Sequence, residues 1–180
     1  MNGCINFIQA DPNGRCLVFK LNLGQNSILL FNLYLPCIEN SAKYRAEIAF
    51  YVGFIENILN TVPFSDVIIL DDTNFDINDA NAGYLLLKPL LLNYNIVHCD
   101  DLINNPIQYT YDNTVLGQFS LIDHFFVTPF VRACTSQVLI IDSEANTSDH
   151  RPVVLRLQLP PAASPTGSRA INKPVSLKVR

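Results

Sequence analysis

The run from Asp66 to Leu70, DVIIL, is too short for an ordinary helix and is apolar on both faces. A strand of this kind needs cover above and below, so it belongs in the middle of a sheet packed on both sides. It stops abruptly on Asp71, Asp72, Thr73 and Asn74. Strand ends in α/β sheets are where functional groups are presented. A polar turn is the plain alternative, because Asp and Asn commonly build one. A calcium loop starting at Asp72 fails, since Ile77 and Gly83 stand where a Gly and a bidentate Glu are required.

The flanking sequence supplies the cover. Residues 16–24 and 27–36 read as two strands joined by a turn at Gly24, Gln25 and Asn26, with Pro36 ending the second. Residues 41–60 place Tyr44, Ile48, Tyr51, Val52, Ile55, Ile58 and Leu59 at helical spacing, with Ser41 or Asn40 as the cap. Residues 80–94 read as a second helix, weakened by Pro89. Residues 107–111, 119–128, 137–141 and 152–159 read as four further strands. Strands separated by helices, with antiparallel candidates late in the chain, give an α/β fold with a mixed sheet. The Pro- and Ser-rich residues 160–180 have little to bury and read as a disordered tail or linker. Residues 1–159 then form one domain.

All 16 acidic residues lie in the first 160, whereas Arg169, Lys173, Lys178 and Arg180 are among the last 20. The body therefore carries a net charge of about −8, which opposes tight nonspecific binding to nucleic acid by the body alone. It does not oppose a metal-dependent phosphodiesterase, whose centre must be acidic. The five cysteines are scattered without a Cys-x-x-Cys pair, as expected of reduced thiols in an intracellular protein, cytoplasmic or nuclear. No apolar run reaches membrane-spanning length, and the start lacks the pattern of a secretory signal.

Two further clusters match the character of Asp71-Asp72. Asp123 and His124 interrupt the apolar run SLIDHFFV, and Ser148, Asp149 and His150 precede the last strand in SDHRPV. Magnesium takes hard oxygen ligands and leaves room for phosphate oxygens, and a nearby His supplies a proton donor. NLYLP, ILDDTN, SLIDHFFV and SDHRPV occur in the order and approximate spacing of motifs in the endonuclease/exonuclease/phosphatase superfamily. Over residues 1–159 the chain most resembles a non-LTR retrotransposon endonuclease domain. The resemblance implies a four-layered α/β sandwich of two packed mixed sheets flanked by helices. It also implies a Mg²⁺-dependent phosphodiester hydrolase acting on DNA, with a reverse transcriptase domain downstream in a full-length element.

The same resemblance implies roles. Asp72 orients or deprotonates the attacking water, Asn74 holds water or phosphate, and Tyr34 contacts phosphate. His150 bonds the scissile phosphate, Asp123 fixes its tautomer, and Asp149 lies near the metal. His124 follows Asp123 in a strand, points to the opposite face and stays outside the site. The residues HCDD at 98–101 have metal-ligand types but read as a loop.

The sequence also departs from the family pattern. Asp71 stands where the family has Gly. The early strand with an Asn and the metal-binding Glu have no counterpart before Cys16, so the sandwich is expected to be partial, without its first strands. Weak or absent nuclease activity is the expectation for such a chain. The alternatives are a non-catalytic remnant or interaction module that keeps the fold, and a phosphatase acting on another phosphoester.

Overall fold

A computed structural model describes residues 4–23, 26–37, 41–78 and 81–160, together with the backbone of 175–179. Gly24 and Gln25 of the expected turn, the alternative cap Asn40, and residues 161–174 of the expected tail lie outside the described residues.

The strands are β1 (Cys4–Ala10), β2 (Cys16–Leu23), β3 (Asn26–Tyr34), β4 (Asp66–Asp72), β5 (Val97–His98), β6 (Tyr111–Asn113), β7 (Gln118–Ser120), β8 (Asp123–Val127), β9 (Thr135–Ile140), β10 (Val153–Leu157) and β11 (Val175–Val179). The helices are α1 (Ala42–Thr61), α2 (Ala82–Asn93) and α3 (Pro129–Cys134). A six-stranded sheet has the order β1-β2-β3-β4-β8-β5, and a second sheet the order β11-β10-β9. Strands β3 and β4 are parallel, as their connection through α1 requires. All other pairs in the large sheet are antiparallel, so the sheet is mixed.

Val67, Ile68 and Ile69 of β4 are fully buried although they alternate between faces. Helices α1 and α2 cover one face, where Val67 and Ile69 join Phe31, Ile48, Ile55 and Leu87. Strands β9 and β10 cover the other, where Ile68 joins Phe125, Val138, Val153 and Leu155. Each such side chain contributes about 1.5–3 kcal/mol on burial, which fixes β4 in the middle. The layers are helices, sheet, sheet: a partial α/β sandwich, with three of the expected four layers among the described residues. None of the described helices is long and apolar enough to cross a membrane.

Helix α1 is capped by Ser41, whose Oγ accepts from the Tyr44 N–H at 3.1 Å. Helix α2 runs through Pro89 without a break. Pro89 is on the exposed side, so its missing hydrogen bond falls on solvent while Leu87, Leu90 and Leu91 stay buried on the other side.

Three expectations need correction. Residues 107–110 are not a strand; only Tyr111–Asn113 is, paired with β7 in a separate two-stranded hairpin. The expected single strand over 119–128 is broken at Leu121 and Ile122 into β7 and β8. Thr110 marks the second break, because its Oγ accepts from the Ile122 and Asp123 N–H groups, each at 3.1 Å, and pins the entry to β8, while its own N–H donates to the Ser120 carbonyl of β7 at 2.9 Å. Finally, the expected loose tail is not loose throughout, because β11 pairs with β10 from Val153↔Val179 to Leu157↔Val175.

Candidate active site

The ends of β3 and β4 and the start of β8 lie at one edge of the large sheet. Tyr34 is the register partner of Asp72, and Asp72 is the partner of Asp123. The three stand in one row on the face that looks toward the second sheet. His150 reaches this row from the loop that leads into β10. Its backbone bridges to Tyr111, its N–H donates to Ser148 Oγ at 3.0 Å, and its carbonyl accepts from Asn146 Nδ2 at 2.8 Å. The ring packs edge-on against Tyr111, with centroids 5.3 Å apart.

The His150 Nδ1–H donates to Asp123 Oδ2 at 3.0 Å. That bond leaves Nε2 free on the side of Asp72, whose Oδ2 is 3.9 Å away. Asp72, Asp123 and His150 each offer one ligand atom, all within 4.8 Å of one another, and form the metal-competent cluster among the described residues. Burial, and then the charge of Asp123, push the Asp72 carboxyl up to about 6, against the pull of His150 and of the Asn74 N–H. The bond to Asp123 raises the His150 pKa, aided by the charges of Asp123, Asp72 and Asp149 and opposed by burial. Two carboxylates held in register repel each other, so the pocket favours a cation. Mg²⁺ needs only one or two carboxylates beside water and phosphate oxygens, and the donor set fits it.

The other residues singled out from sequence are placed as follows. Asn74 has φ 55°, a left-handed conformation that Asn tolerates. Its N–H donates to Asp72 Oδ1 at 3.1 Å and its Nδ2 to Leu35 O at 2.7 Å, so it ties the loop after β4 to the end of β3. Tyr34 is 45% exposed. Asp149 is exposed and lies outside the cluster; its side chain meets Ser148 Oγ at 3.5 Å, and its carbonyl accepts from the Asp112 N–H.

His124 points away, toward the helices. It is 1% exposed, with Nδ1 2.9 Å from Asp100 Oδ2 and Nε2 3.1 Å from Phe75 O. Asp100 is therefore a partly buried partner, and residues 98–101 are not a plain loop: His98 ends β5 and Asp100–Leu102 form a helical turn, where Asp101 makes a two-pronged pair with Arg132. Asp71 also points to the helix face, is fully buried, and has no hydrogen-bond partner on either carboxylate oxygen. All five cysteines are free thiols.

Reading the sequence alone misses Thr110 and the Asp100–His124 pair, because both depend on contacts between segments far apart in the chain. The presence of a carboxylate at 100 and a His inside an apolar strand is the only local signal for the second.

No protein-family model and no curated protein matches the chain. Solved structures do. The endonuclease domain of TRAS1, a telomere-specific non-LTR retrotransposon, superposes with TM-score 0.63 at 19% identity, covering 86% of this chain and 69% of that one. An endonuclease/exonuclease/phosphatase from Bacteroides vulgatus gives TM-score 0.61 at 18% identity over 89% of this chain and 66% of that one. The 3′ phosphatase NExo from Neisseria, bound to a product DNA hairpin, gives 0.59 at 18% identity over 86% and 70%. Identities this low speak to architecture, and the architecture is shared across these proteins: the chain has the endonuclease/exonuclease/phosphatase fold.

Proposed function

We propose that the edge formed by Tyr34, Asp72, Asp123 and His150 is the centre of a Mg²⁺-dependent phosphodiester hydrolase that acts on DNA, of retroelement origin. The observation that carries the reading is the His150–Asp123 bond, which leaves Nε2 facing Asp72 across 3.9 Å. That gap is lined on one side by a donor and on the other by a carboxylate, the two groups that phosphoester hydrolysis requires. The similar structures include a retrotransposon endonuclease domain and a 3′ phosphatase bound to a product DNA hairpin, which supports the choice of DNA.

Asp72 and Asp123 would hold the ion, Asp123 through the oxygen not given to His150. When bound, Mg²⁺ polarises a phosphoryl oxygen and offsets the charge of the two carboxylates. Asp72 accepts a hydrogen bond from the attacking water and aims it. His150, protonated on both nitrogens, donates from Nε2 to the phosphoryl oxygen as charge develops there. Asp123 keeps the ring in place and stabilises its protonated form. Tyr34 flanks the phosphate from the β3 side.

The test is plasmid nicking by the full chain with and without Mg²⁺. Mg²⁺-dependent nicking that falls at least about 100-fold in His150→Ala is the expected result. Nicking that survives that substitution, or no nicking at any enzyme concentration, sinks the reading in favour of a non-catalytic module.

A further inference from the structure

We infer that Arg15 is a second phosphate contact, extending the site along the sheet edge beyond Tyr34; the inference rests on the reading of this edge as a phosphodiesterase centre. The register of the large sheet carries the first step. Cys16 pairs with Leu33, so Arg15, one residue earlier, stands beside Tyr34, whose N–H donates to Arg15 O at 2.8 Å. The row across four neighbouring strands is then Arg15, Tyr34, Asp72, Asp123. At about 4.8 Å per strand, the Arg15 backbone lies roughly 10 Å from that of Asp72. That separation suits a phosphate next to the scissile one on the same strand.

The second step is the state of the guanidinium. Its carbon lies 5.0 Å from the centroid of the Tyr34 ring, and Nη1 is buried without a hydrogen-bond partner. The other half-buried arginines among the described residues are both paired, Arg132 with Asp101 and Arg151 with Asp112 and Asp142. Arg15 has no ion pair among the described residues, in a chain whose body is acidic. Asp11, the acid in its own turn, makes no ion pair with it and is turned to the backbone, its two oxygens accepting from the Asn13 and Cys16 N–H groups at 2.7 and 2.5 Å. Those bonds, and Gly14 at φ 70°, fix the turn that presents Arg15. A partly desolvated cation without a counter-charge favours an anion, and a planar fork stacked on an aromatic ring suits a phosphodiester.

The experiment measures binding of a short fluorescent DNA duplex to the full chain by anisotropy over a range of salt concentrations, beside the nicking assay. Arg15→Gln is expected to weaken binding about five- to tenfold at low salt and to reduce the slope of log affinity against log salt by about 0.9. Arg15→Lys is expected to keep the slope and lose part of the affinity. In the unsubstituted chain, the Arg15 Nε–H resonance should shift as the duplex is added, a readout that needs no variant to fold. An unchanged slope in a folded Arg15→Gln variant, a resonance that stays still, or no binding by the unsubstituted chain overturns the assignment. His150-dependent nicking with no Arg15 effect would sink Arg15 alone. Arg15-dependent binding without nicking would keep Arg15 and sink the hydrolase.

Discussion

Two adjacent pairs, Asp71-Asp72 and Asp123-His124, lie side by side across β4 and β8, and each is divided between the two faces of the sheet. Asp72 and Asp123 face the second sheet, where His150 and solvent reach them. Asp71 and His124 face the helices, where Asp71 is 0% and His124 1% exposed. Carboxylates and a His meet on both faces, yet one set is open to solvent and the other is closed off beneath the helices. What separates them is the two-residue period of a strand and the chain that each face meets. Cover by α1 and α2 excludes water, so a polar group there must find a partner inside the protein or stay neutral.

His124 has found its partners, and the largest expected effect comes from removing it. Its two nitrogens both meet acceptors, Asp100 Oδ2 and Phe75 O, so both must carry hydrogens. Burial alone would lower its pKa, but the bond to Asp100 and the charge on Asp100, with the Phe75 carbonyl, outweigh that and raise it. The same Phe75 carbonyl accepts from Thr73 Oγ at 2.7 Å. His124 thus ties β8, the loop after β4 and the turn at Asp100–Leu102 to one another. Substitution of His124 by Ala should cost about 3–5 kcal/mol, because Asp100 is left partly buried without its partner. Urea unfolding checks this. A loss below about 1 kcal/mol would show that the helix face does not depend on the pair, and the contrast between the faces would fail.

The division between faces was legible in part from the sequence. Alternation along β8 places Asp123 and His124 on opposite sides, and the apolar run of β4 places its two carboxylates at a strand end. The partner of each residue was not legible. Nothing local to Asp123 indicates that Thr110 receives its N–H, and nothing local to His124 singles out Asp100 over Asp101. Such pairings depend on which loops the tertiary fold brings together. The expected strand at 107–111 shrank for the same reason: the Thr110 backbone bonds Ser120 and Arg151 and its side chain bonds the start of β8, segments that the local sequence does not point to. The tail failed over 175–179 because pairing with β10 compensates for a composition that has little to bury by itself.

Asp71 has found no partner, and its effect is expected to be smaller and dependent on pH. Burial, and then the charges of Asp72 and Asp123, hold its carboxyl well above the usual carboxylate range. The folded chain keeps the proton where the unfolded chain releases it. Below about pH 4 both states are protonated and stability is unaffected. As pH rises from there toward the folded pKa, stability falls by about 1.4 kcal/mol per pH unit. Asp71→Asn removes this loss, so the stability difference between the variant and the parent chain should grow in the variant's favour with pH at about that slope. Urea unfolding at several pH values measures it. A difference that stays flat with pH would mean that Asp71 is ionised in the fold. In that case the helix face would not be as dry as its exposure values indicate.

Asp149 sharpens the comparison from the other side, with the smallest expected effect. The family resemblance puts it near the metal, whereas the structure puts its carboxylate outside the Asp72–Asp123–His150 cluster and in solvent. Its backbone is held, through the Asp112 N–H on its carbonyl, so any approach to the cluster is a side-chain rotation. An exposed carboxylate that must be ordered before it can help contributes little, because the entropy of fixing it and the screening by water offset the attraction. Asp149→Asn should therefore weaken Mn²⁺ binding by no more than about threefold, or about 0.7 kcal/mol, while Asp72→Asn weakens it by at least about tenfold. Broadening of the His150 ring resonances by Mn²⁺ reads both affinities without relying on turnover. If Asp149→Asn proves as damaging as Asp72→Asn, the ion sits on the solvent side of His150, and the row of strand-end residues is a phosphate cradle beside the metal centre instead of the centre itself.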